Sequence, residues 1–145
     1  AVVTGNPKAD CGTVETYIGR HPKDRKKMAV VPPSSPGARN AITHYKVIKR
    51  FRGFSLLKLQ LETGRTHQIR VHMAHIGHPL AGDTVYGGGS TPFEKRHPTA
   101  FPAQLLHAGE LTLIHPRTNK PMTFKCDIPS DFAEALRLLE ATCEC

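Results

Sequence analysis

The segment from Leu111 to Ile128 places the tightest constraint on the fold. Met122, Phe124, Cys126 and Ile128 alternate with Thr123, Lys125 and Asp127, a period of two that makes a strand with one apolar and one polar face. The run Leu111 to His115 before it is also β-prone, and "PRTNKP" between them is turn chemistry, so the two runs read as an antiparallel hairpin. A second pair stands earlier. Ile42 to Phe51 is rich in β-branched and aromatic residues, and Phe54 to Leu61 sets Leu57, Leu59 and Leu61 against Lys58 and Gln60. These are expected to be adjacent antiparallel strands with one wet side.

Ala1 to Gly5 and Thr13 to Ile18 are short β-prone runs around "NPKADCG", which suggests a further hairpin. "PPSSPGARN" excludes regular structure through its three prolines and Gly37. Ser130 can cap a final helix in which Phe132, Leu136 and Leu139 share a face, and that helix is expected to lie across the sheet. The fold class is α+β with a mixed, mostly antiparallel sheet. At 145 residues one folding unit is expected.

Charge narrows the partners. Lys and Arg number 20 against 12 Asp and Glu, a formal net charge of +8, which points to RNA or DNA. The basic stretch "HPKDRKK" from His21 to Lys27, with Lys26 and Lys27 adjacent, has two readings, a solvated loop or a contact to backbone phosphates. No apolar run is long enough to span a bilayer, and no membrane partner is expected. Of four cysteines, two stand in the last three residues and none in a Cys-x-x-Cys pair, which fits a reducing cytoplasm.

Between the strands lies "LETGRTHQIRVHMAHIGHPLAGDTVYG", Leu61 to Gly87. Thr66 can serve as N-cap to a helix over His67 to Ile76, stopped by Gly77 and Pro79. On it His67, Arg70, Val71 and Ala74 share one face, and Ile69, Met73 and Ile76 share the face expected to meet the core. Arg70 then points away from the apolar stripe, where a rigid guanidinium could hold a carboxylate or phosphate bidentately. An ordinary surface arginine is the other reading, for Arg70 and for Arg65 alike. The histidine spacings fit no metal motif, and no serine stands in a Gly-x-Ser-x-Gly elbow, so neither a metal site nor a Ser or Cys nucleophile is expected.

The same stretch closely resembles the C-terminal motif of the RluA-type pseudouridine synthases, in particular the RluD-like branch. There Gly-Arg-Thr-His-Gln-Ile-Arg-Val-His-Met is followed by Gly-His-Pro-Leu and Gly-Asp-x-x-Tyr-Gly. "IGRHP" at Ile18 to Pro22, "KKMAV" at Lys26 to Val30, "THYKV" at Thr43 to Val47, "LLHAGELTLIHP" at Leu105 to Pro116 and "MTFKCDIP" at Met122 to Pro129 extend the likeness, in order, through nearly the whole chain. The resemblance implies an enzyme that isomerises uridine within RNA, most often large-subunit ribosomal RNA in this branch. Such enzymes break the bond between uracil N1 and ribose, turn the base and rejoin it through C5, using an aspartate and no metal or organic cofactor. It implies that Arg70 pairs with that aspartate and keeps it ionised, and that Arg65, Thr66, His67, Gln68 and His72 line the cleft, with Arg20, Lys26 and Lys27 as further candidate RNA contacts.

The family's His-Arg-Leu-Asp motif and its Lys-x-Tyr-x-Ala strand do not occur here. The aspartates are Asp10, Asp24, Asp83, Asp127 and Asp131, none in an Arg-Leu-Asp context, and Asp83 is expected to organise the turn after Pro79. Ala1 and Val2 match the residues just after the absent tyrosine. The chain is therefore expected to be the C-terminal portion of a synthase catalytic domain, inactive alone, with the aspartate partner of Arg70 outside it. Loss of the upstream half is expected to expose a sheet edge and to favour self-association or a weakened core. The alternative is a noncatalytic RNA-binding module derived from that family.

Overall fold

The computed structural model describes residues 1–143. Its main sheet has five antiparallel strands: β1 (Val2–Thr4), β2 (Cys11–Arg20), β3 (Met28–Val30), β4 (Arg39–Phe51) and β5 (Phe54–Leu61), in the spatial order β1-β5-β4-β2-β3. β4 and β5 pair as their sequences predict. The hairpin expected between Ala1–Gly5 and Thr13–Ile18 does not form, because β1 pairs with β5 and β2 with β4. The long apolar faces of β4 and β5 offer both strands a better partner than they offer each other.

Alternation along the strands divides the core into two layers. Val3, Val14 and Leu57 face helix α1 (Gln68–His75) and meet Met73, while Ile18 and Ala41 meet Val71. Val2, Phe51 and Phe54 face the other way, onto Phe132, Ala135 and Leu139 of helix α3 (Ser130–Cys143) and onto Phe101 and Leu105. The final helix thus covers the sheet as its apolar face predicts, at the end where β4 turns into β5.

A short helix unforeseen in the sequence, α2 (Pro92–Arg96), opens with a capping box between Thr91 and Glu94. Glu94 is buried, and its Oε1 accepts from the backbone N–H groups of Gly82 (2.8 Å) and Gly89 (3.0 Å). One carboxylate therefore closes the loop that carries Asp83.

The expected C-terminal hairpin is present as β6 (Glu110–Ile114) and β7 (Pro121–Lys125), a separate two-stranded sheet exposed along both strands. The outer edge of β1, by contrast, is occupied: Val2 N–H donates to Leu105 O, Thr4 N–H to Pro79 O, and Val2 O accepts from Ala81 N–H. Much of the uncovered apolar surface lies on the hairpin, at Leu111, Ile114 and Phe124, though Ile48 of β4 and Leu61 of β5 are exposed as well. No described helix is long and apolar enough to cross a membrane. Cys11 and Cys126 are free and exposed.

Candidate active site

The turn before α1 is built by Gln68. Its Oε1 accepts from Thr63 Oγ1 (2.7 Å) and Arg65 N–H (2.9 Å), and its Nε2 donates to Ile42 O (3.0 Å) and Thr43 Oγ1 (2.9 Å). Thr66 does not cap the helix. The cap position is His67, in the left-handed region at φ 54°, with no side-chain cap bond. Gln68 satisfies the turn from inside the helix, a role that a cap motif cannot reveal.

His72 continues the same buried chain. It is fully enclosed, with Nδ1 2.7 Å from Thr43 Oγ1 and Nε2 2.8 Å from Thr16 Oγ1. Thr43 Oγ1 accepts from Gln68, so its own proton goes to His72 Nδ1, and the proton on Nε2 goes to Thr16. That assignment uses the neutral ring. Burial, and secondarily the charge of His75, push the His72 pKa down to about 4. Gln68 and His72 are thus buried rather than exposed on the helix surface, and hold the turn to the sheet.

On the outer side of α1, Arg70 and Asp83 form a bidentate pair, Nε to Oδ2 at 2.8 Å and Nη2 to Oδ1 at 2.9 Å. The Asp83 side chain is 1% exposed and that of Arg70 11%. Hydrogen bonding to Asp83 raises the Arg70 pKa against the opposing effect of burial. The Tyr86 ring lies 4.9 Å from the guanidinium carbon, within cation–π range. Tyr86 OH accepts from Met28 N–H (3.1 Å) and sits 2.8 Å from His67 Nδ1, so its proton points to the histidine. Partial burial and then the charge of Arg70 lower the His67 pKa, with Asp83 opposing.

Asp83 does organise its turn, through backbone groups: its N–H donates to Leu80 O (3.1 Å) and its carbonyl accepts from Gly88 N–H (2.6 Å). Its carboxylate serves Arg70, which therefore has an ionic partner within the chain. Sequence reasoning separated these residues because a thirteen-residue offset through a loop has no periodicity. The only signal was that both stand in one motif block.

The remaining candidates fall in two places. Arg20, Arg65 and Thr66 line one open cavity of about 420 Å³, together with Arg39, a residue the sequence did not single out. Lys27 lines a neighbouring hollow with Tyr86 and His75, and Lys26 is exposed in the β2–β3 turn, lining neither. Among the described residues, no group of three His, Cys, Asp or Glu side chains is placed to hold a metal ion.

The family model for RNA pseudouridylate synthase matches residues 1–75, just over half of the chain and including Arg70. The chain belongs to the RNA pseudouridylate synthase family. Members similar to it include the ribosomal large subunit pseudouridine synthase D of Pasteurella multocida, 47% identical over 90% of this chain and 41% of that protein. The synthase D of Escherichia coli is 45% identical over 99% of this chain and 44% of its own length. Among solved structures, human RNA pseudouridylate synthase domain containing 1 superposes with a TM-score of 0.73 at 27% identity, covering 89% of this chain and 53% of that one. The chain spans less than half the length of these two bacterial synthases.

Proposed function

We propose that this chain forms the arginine-bearing C-terminal part of the catalytic domain of an RNA pseudouridine synthase, acting on large-subunit ribosomal RNA in the cytoplasm. The observation that carries the reading is Arg70, a cation held on one edge by Asp83 and on one face by Tyr86. Its Nη1 carries no protein partner among the described residues. An incoming carboxylate from an upstream Arg-Leu-Asp segment would meet that nitrogen, which would hold it ionised and aimed at the target nucleotide. Asp83 already neutralises much of the cation, so two carboxylates would share one guanidinium. Arg65, Thr66 and His67 would face the RNA, with Arg20, Lys26 and Lys27 as outlying contacts, while Gln68 and His72 support the turn from below. Neither metal nor organic cofactor enters the reaction.

Tritium release from RNA labelled at uridine C5 tests this. The 145-residue chain alone should release none, and the same chain joined to the upstream half of a relative should release tritium in an Arg70-dependent way. Turnover by the chain alone would overturn the assignment of the carboxylate to an outside segment. An inactive joined protein that still binds RNA would favour the noncatalytic module.

A further inference from the structure

We infer that the cavity of about 420 Å³ between the end of β2, the start of β4 and the Gly64–Thr66 turn is a seat for an RNA backbone phosphate next to the target nucleotide. The inference rests on the RNA-binding reading above and names one subsite of it. Arg20, Arg39 and Arg65 line the cavity, and no carboxylate is among the lining residues. Three cations around an uncompensated hollow are costly to assemble unless an anion shares it.

Two of the three are held in place by backbone carbonyls, which fix direction without spending charge. Arg65 Nε donates to Asn40 O (2.9 Å) and Arg20 Nη1 to Arg25 O (3.0 Å). Both terminal nitrogens of Arg65 remain without a protein partner among the described residues, as does the whole Arg39 guanidinium. A fork presented in this way suits the paired oxygens of a phosphodiester. The floor is Ile18, Met28 and Pro36, apolar surface that favours a ribose lying flat over a bare ion.

The position suits a flanking nucleotide. The cavity wall ends at Thr66, and the next residue, His67, bonds to Tyr86, which stacks on Arg70. A strand of RNA with its target at Arg70 would pass His67 and lay its neighbouring phosphate among the three arginines.

The test uses the 145-residue chain and labelled single-stranded oligoribonucleotides of several sequences, with affinity measured by anisotropy over a range of salt. Arg39→Gln removes an exposed side chain with no partner to lose, and Arg39→Gln with Arg20→Gln removes two. Arg117→Gln, in the β6–β7 turn, is the charge-matched control. Each cavity arginine lost should lower the slope of log affinity against log salt by about 0.7 and weaken binding several-fold, equally for all sequences. The Arg117 variant should bind nearly as the parent chain does. If Arg39→Gln behaves like Arg117→Gln while the parent chain binds RNA, the cavity assignment falls and the family function stands. A loss confined to one sequence would overturn the phosphate assignment in favour of base contact. If the parent chain binds no RNA, both readings fall.

Discussion

Arg70 and Asp83 are joined by two parallel hydrogen bonds of 2.8 and 2.9 Å between a helix and a loop thirteen residues later, with the carboxylate almost wholly excluded from water. Breaking such a pair leaves a largely buried charge without its carboxylate. Asp83→Asn should therefore destabilise the chain by about 3 kcal/mol, more than a surface ion pair would. Arg70→Met combined with Asp83→Asn should recover much of that loss, because the stranded cation is then gone. Urea unfolding of the parent, the two single variants and the double closes the cycle. Simple additivity of the single effects would show that the pair is not coupled.

His72 gives stability a pH dependence of defined sign. Its folded pKa is about 4, below the ordinary histidine value of about 6.5, so between those limits the unfolded chain binds the extra proton. This contribution is complete above about pH 6.5 and is lost as pH falls towards 4. The full effect is on the order of 3 kcal/mol. Unfolding midpoints measured from neutral pH downward should fall through this window, and the His72 ring resonance should stay at its neutral position to about pH 5. A ring that titrates near 6.5 in the folded protein would contradict the buried Gln68–Thr43–His72–Thr16 chain.

Two glycines with similar backbone angles should respond very differently to alanine. Gly82 has φ 78°, and an added Cβ would stand 2.1 Å from Ala103 O, whereas Gly53 has φ 80° with nothing within 4 Å. At Gly53 only the left-handed conformation is strained, about 1 kcal/mol. At Gly82 the loop that carries Asp83 must move away from residues 101–103, and Glu94 loses the Gly82 N–H it accepts. Gly53→Ala is expected to melt a few degrees lower, and Gly82→Ala to fail to fold or to lose the Arg70–Asp83 pair. Equal melting temperatures would show that the loop accommodates the methyl group.

Periodic features of this chain were legible from its residues. The leucines of β5, the alternation in β7 and the apolar face of α3 each follow from strand or helix geometry, and the three elements are found where expected, although Leu61 is exposed and β7 is open on both faces. The Gly-Arg-Thr-His-Gln-Ile-Arg block folds as the turn and first helical turns that carry Arg65, Gln68 and Arg70. Features set by distance along the chain were not legible. β1 could be placed beside β5 only by knowing that β5 was the better partner. Gln68 and His72 read as cleft residues because polar side chains on a short helix are usually wet, yet Thr16, Thr43 and Thr63 supply enough partners to bury both. Arg39 was missed because it stands alone in the sequence and meets Arg20 and Arg65 only through strand pairing.

The β6–β7 hairpin is the part of the chain that should open first. A two-stranded sheet is marginal without a covering layer, and here Leu111, Ile114 and Phe124 are 60, 61 and 52% exposed. Its internal bonds include Cys126 N–H to Gly109 O (2.9 Å) and the Thr112–Thr123 hydroxyl pair (2.9 Å), both open to water that competes with them. Its two ends, however, are held by Leu105 and Phe132 in the main core. Limited trypsin digestion should therefore cut first after Arg117, in the turn, since the bond after Lys120 leads into Pro121 and resists the protease, and the two pieces should stay together because α3 remains packed on β4 and β5. Protection that grows with protein concentration would mean that a second copy covers the exposed strands. Early cleavage at Lys58 or Arg65, with the hairpin turn intact, would show that the sheet opens before the hairpin and would reverse the expected order.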